Sequence, residues 1–266
     1  MTRGRLGETG GDSPDERAVS DVVGYVLVFA LVTATLAAVF TIGFVGLEER
    51  QDAERVENVE RAFDVLDDNV RDIQRYEDPS RATEVRLSGG SMSLAEPTTV
   101  TVEQLDAGNN TVGNVTTRTS NAITYTRDDT TIGYDMGARF RTQGDTTVFR
   151  SGPRFVAEDG KTVLPIVRTR LGDGSDTVRG DGTVQVSTET AELRWFEYPE
   201  SDVDPADVED IRIRIDSQRA DAWGEYLERT GGFSVVETGE TSVSARLEHD
   251  DAVYIRVYVV DVSFRR

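Results

Sequence analysis

Apolar positions fall into three patterns along the chain. From Val22 to Leu47 they run without a charge, closed by Asp21 on one side and Glu48-Glu49-Arg50 on the other. At about 1.5 Å per residue this stretch makes a helix of roughly 39 Å, more than the ~30 Å hydrocarbon core of a bilayer requires. Leu, Ile, Phe and Val make up more than half of it, and each favours insertion by about 0.3–0.6 kcal/mol. A helix buried in a soluble core is the first competitor, and the length of the run argues against it. A secretory signal peptide is the second. Its apolar region spans about 7–15 residues and ends at a small-residue cleavage site; this run is longer, and no A-x-A site precedes Glu48.

The second pattern is helical and one-sided. Val56, Val59, Phe63, Leu66, Val70 and Ile73 follow a heptad spacing with charges on the other faces, and neither Gly nor Pro interrupts Glu48–Asp78 before Pro79 ends the segment. The spacing predicts an amphipathic extension over 48–78. Its stripe suits either the chain's own β-domain or copies of itself in a stalk or assembly. From Ala82 onward short alternating runs are separated by turn residues: Thr83–Leu87, Thr98–Leu105, Ala122–Thr126, Thr131–Arg141, Thr146–Arg150, Thr162–Thr169, Thr183–Ser187, Glu192–Tyr198, Asp210–Asp216, Ser242–Leu247 and Ala252–Phe264. These predict an antiparallel, sandwich-like domain over 79–266, with one short helix at Gln218–Arg229. The expected class is therefore α+β: a long N-terminal helix, transmembrane (19–47) and then amphipathic, followed by a β-rich head.

Composition narrows the chemistry. The 266 residues carry 49 Asp+Glu against 29 Lys+Arg, a net charge of -20, and Lys161 is the one lysine. Such a charge repels phosphate backbones, so nucleic acid is not an expected partner. An acidic, lysine-poor surface resembles those of proteins that work in concentrated salt. The absence of cysteine excludes disulfides and thiol chemistry, and a single histidine, His249, rules out a His-rich metal site within one chain.

The segment before the helix reads Arg17-Ala18-Val19-Ser20-Asp21-Val22-Val23-Gly24. It resembles the class III signal of archaeal type IV pilins and archaellins: a polar leader, a basic residue, a small residue, then the helix. The Val-Ser-x-Val-Val-Gly opening is similar to that of haloarchaeal pilins. The resemblance implies a leader over 1–18, cut by a membrane prepilin peptidase between Ala18 and Val19 after Arg17. The helix is then kept as anchor and filament core. Arg3, Arg5 and Arg17 would hold the leader inside the cell, against Glu8, Asp12, Asp15 and Glu16. Ser20 or Asp21 is the expected cap and contact at the helix N-terminus. Asp21 stands where many haloarchaeal pilins have Pro, and Val23 where bacterial pilins usually have Glu. The pieces Ala53-Glu54-Arg55-Val56, Arg61-Ala62-Phe63, Pro79–Glu84, Val163–Val167 and Arg219–Trp223 are similar to a haloarchaeal family of uncharacterised pilin-like membrane proteins.

Other motifs carry less. Asn109-Asn110-Thr111 and Asn114-Val115-Thr116 are two N-glycosylation sequons in one expected loop. Asp173, Asp176 and Asp181, and then Asp202, Asp204, Asp207 and Asp210, do not match a calcium loop and read as solvated turns, as does Arg179-Gly180-Asp181. His249 lacks a G-x-S-x-G partner, so no hydrolase triad is expected. Trp195, Phe196 and Tyr198 form either an exposed patch or, as alternating aromatics usually do, core. The expectation is a non-enzymatic protein without cofactor or metal. It is a single-pass membrane protein with its head outside, acting as a pilin-like subunit or pseudopilin with copies of itself or other pilins. The rival is an anchored domain that binds a ligand or partner and never polymerises.

Overall fold

The structure is a computed structural model that describes residues 14–76, 80–198, 203–248 and 252–266, with the backbone course alone at 14–21, 42–49, 76, 196–198 and 205. The chain divides into two units, Met1–Arg55 and Val56–Arg266. The elements in order are helix α1 (Pro14–Tyr76), then strands β1 (Ser80–Arg86), β2 (Ser91–Leu105), β3 (Thr111–Arg127), β4 (Thr130–Asp135), β5 (Ala138–Gln143), β6 (Thr146–Ser151), β7 (Val156–Glu158), β8 (Lys161–Leu171), β9 (Thr177–Arg179), β10 (Thr183–Tyr198) and β11 (Asp210–Asp216). Helix α2 (Ala220–Thr230) and strands β12 (Phe233–Thr238), β13 (Ser242–Leu247) and β14 (Ala252–Arg265) complete it. The α+β class is as expected: an apolar helix, a helical extension and a large β-rich domain.

In the first unit α1 takes in Pro14–Arg55. Ser20 and Asp21 lie within that span, where the backbone course alone is described. Farther along, Thr35 and Thr41 donate their hydroxyls to the carbonyls of Leu31 (2.8 Å) and Ala37 (2.9 Å), so these two polar groups are satisfied within the helix.

In the second unit two sheets enclose two cores. One sheet has the order β1-β10-β14-β8-β7; the other is nine-stranded, β12-β13-β11-β2-β3-β4-β5-β6 with β9 beside the start of β2. All pairs are antiparallel except β8–β14, which is parallel and places the last strand in the middle of its sheet. The stripe of α1 is buried: Val59, Phe63, Leu66 and Val70 pack with Val85, Met92, Ile123, Val186, Val260 and Val262. Docking on the chain's own sheets is thus the use this stripe has. Ion pairs reinforce it from the helix flank, Glu60 to Arg141 at 3.2 Å and Asp64 to Arg139. The second core lies under α2, where Trp223 meets Phe149 edge-on at 5.0 Å and Phe155 stacks at 6.4 Å.

Several sequence-based boundaries shift for identifiable reasons. The run Thr131–Arg141 is a hairpin, β4–β5, turning at Met136-Gly137 with φ of 48° and 95°. Both positions need positive φ, the requirement of the tight turn that matches strand twist. Thr183–Ser187 and Glu192–Tyr198 are one strand joined across a bulge at Thr190/Glu192. β3 extends back to Thr111 through polar residues, because cross-strand hydroxyl pairs such as Thr99–Thr119 (2.9 Å) clothe its solvent face.

Candidate functional site

The first candidate is the apolar face of α1. Val22–Thr41 has a mean hydropathy of 2.4 and none of it is buried; Tyr25, Leu27 and Leu31 are 74%, 64% and 68% exposed. Apolar surface on this scale demands a non-aqueous environment. Arg17, Ala18 and Val19, the expected cleavage residues, fall within the span of α1, as do Ser20 and Asp21.

The second candidate is a cleft of about 360 Å³ beside the C-terminal half of α1. Helix residues Arg71 and Arg75 form one wall, Arg154 follows β6, and Arg256 and Tyr258 rise from β14. The pleat of β14 explains the last two. Val253, Ile255 and Val257 point into the core under α2, so Arg256 and Tyr258 take the opposite face. On that face α1 covers Val260 and Val262 and stops, leaving the rungs Trp195–Arg256–Pro165 and Tyr254–Val163 beyond it. The Arg256 guanidinium lies over the Trp195 ring (4.5 Å to the centroid) and the Tyr258 ring (4.7 Å). Trp195 is 61% exposed, so it belongs to a surface patch rather than to the core.

Asp67 closes the floor of this cleft. It is buried, paired with Arg71 at 2.6 Å, and accepts a hydrogen bond from Ser151 at 3.2 Å. Burial raises its pKa, more than Arg71 and Arg139 lower it. A smaller cleft of about 260 Å³ gathers Arg118, Arg168 and Arg194 around Glu192. Desolvation, then repulsion from Arg194 and Arg168, lowers the pKa of Arg118.

A third polar cluster is internal. Arg219, 5% exposed, donates to Asp135 at 2.9 Å and pairs with Glu96 at 2.5 Å, while Thr98 donates to Asp135 at 2.6 Å. Its guanidinium lies 4.4 Å over the Phe140 ring. This network joins the start of α2 to the nine-stranded sheet, and the sequence reading missed it. The signal was Arg219 inside an otherwise apolar-facing Arg219–Trp223 segment.

The sequons are separated by the fold. Asn109 sits at the β2–β3 turn with φ 64°, where Asp106 accepts hydrogen bonds from the backbone of Gly108 and Asn110. Asn114 lies on β3 itself, exposed, with Thr116 buried. They therefore do not share one loop. Asp173, Asp176 and Asp181 flank β9, and no group of acidic residues able to hold a metal occurs among the described residues. His249 and Asp202 lie outside the described residues, as do the side chains of Phe196 and Tyr198.

The model of DUF7289, a family of unknown function, matches residues 17–263. The chain belongs to DUF7289. The DUF7289 match takes in the apolar helix and nearly all of the β-rich domain. An uncharacterized protein of Archaeoglobus fulgidus is 31% identical over 78 residues, covering 29% of this chain and 26% of that protein. The chain thus spans about a quarter of that curated relative's length. No solved structure matches.

Proposed function

We propose that this DUF7289 chain is a single-pass membrane protein with its β-domain outside the cell, made as a pilin-like precursor and acting as a structural or minor subunit of a pilus-like filament. The observation that carries this reading is the exposed, charge-free stretch Val22–Thr41. Lipid would hold it before assembly, and helix–helix contacts would replace lipid afterwards. Prepilin peptidase is the processing partner, cutting between Ala18 and Val19. By the same resemblance an assembly ATPase and a platform protein drive filament growth. No catalytic, cofactor or metal role forms part of the proposal, and Asn109 and Asn114 are its glycan acceptors.

A second reading has its own support. The stripe Val59–Val70 is consumed by the chain's own sheets, which leaves that segment no apolar seam for copies and favours an anchored binding domain that stays single. N-terminal mass spectrometry on native membranes, with analysis of sheared surface filaments, separates the outcomes. The proposal expects a mature end at Val19 and the protein in filaments. An intact Met1 end defeats the precursor pathway, and a mature Val19 end without filaments favours the single anchored domain.

A further inference from the structure

In a chain of net charge -20, the cleft beside α1 is an island of opposite sign. Four arginines line it against one carboxylate, Asp67, which is already committed to Arg71. Among the described residues Arg75, Arg154 and Arg256 have no carboxylate partner; Arg256 is held by two aromatic rings instead. The cleft opens onto the sheet face that α1 leaves uncovered, where Trp195, Tyr254, Pro165 and Val163 lie on adjacent rungs.

We infer that this cleft and the adjoining sheet face bind an acidic carbohydrate, a chain of sugars carrying carboxylate groups. Guanidinium forks match carboxylates bidentately, and separated arginines suit charges repeated along a chain. The negative face of an aromatic ring suits the weakly positive C–H face of a pyranose, and an exposed indole beside a cation supplies that platform. An acidic peptide fits less well. Its carboxylates would suit the arginines, but it offers no flat C–H face to match the exposed Trp195 indole. An anionic bilayer fits less well too, since the arginines line a cleft that a broad headgroup surface does not enter. The site serves a polymerising subunit and a single anchored copy alike.

The test uses the full chain in phosphatidylcholine nanodiscs, titrated with a tetramer of α-1,4-linked galacturonic acid and, as control, its methyl ester. The two tryptophans differ, Trp195 exposed and Trp223 buried, so a surface ligand should change the emission of Trp195 alone, and Trp195→Phe should remove that change. Calorimetry should find binding of the acid, weakening with salt, and none of the ester. The double variant Arg75→Ala/Arg154→Ala removes two exposed side chains and should weaken binding by at least about tenfold. Arg229→Ala, an exposed cation on α2, should leave it within about twofold. Equal binding of the ester, an unchanged affinity in the double variant, or tighter binding of polyglutamate or phosphatidylglycerol vesicles each overturns the assignment.

Discussion

Asp135 is held by an arginine and a threonine and is wholly enclosed, and the two influences pull its proton in opposite directions. Burial raises its pKa, more than Arg219 and Thr98 lower it. The folded state therefore keeps this proton to higher pH than the unfolded chain does. Asp135 favours folding below its ordinary pKa and loses that contribution as the pH rises through the raised value. Asp135→Asn cannot titrate, so the cost of the substitution should shrink as pH rises across that window. Urea unfolding at several pH values measures it. A cost that grows with pH would mean that the Arg219 pairing outweighs burial. The sequence showed a carboxylate at this position but gave no reason to single it out: its partner Arg219 is 84 residues away, and only the fold brings them together.

At the scale of elements, α1 offers its own control. Phe63 is fully enclosed, whereas Val65 two residues on is 52% exposed. Phe63→Ala should cost about 3–5 kcal/mol, by lost burial and the cavity left behind. Val65→Ala should change stability by no more than about 0.5 kcal/mol. Chemical denaturation of both variants compares them directly, and equal effects would mean the helix does not dock as described. The heptad stripe was legible because 3.6-residue periodicity survives in sequence whatever it packs against; which surface it packs against was not. The strands with alternating aliphatics, β11 and β13, were legible to the residue. β3 was not, because its outward positions are threonines and asparagines that pattern reading assigns to loops. β7 and β9 have three residues each, too few for any period to register. The arginine cleft escaped for a related reason: its residues come from a helix, a loop and a strand, with no local spacing in common.

For the whole molecule the exposed helix dominates behaviour in solution. Val28→Arg combined with Leu31→Arg places two charges in the span, each costing about 2.5–3.5 kcal/mol at a bilayer centre. The doubly substituted protein should leave the membrane pellet for the soluble or aggregated fraction on cell fractionation; retention in the membrane would show that another segment anchors it. The parallel pair in the five-stranded sheet has a different consequence. β14 lies between β10 and β8, and the 80 residues 172–251 separate it from β8. Neither flanking strand can complete its hydrogen bonds until residues 252–265 have left the ribosome. This sheet therefore cannot close while residues 252–265 are still unmade, so its earlier strands stay slack and lock only once that segment slots home between them.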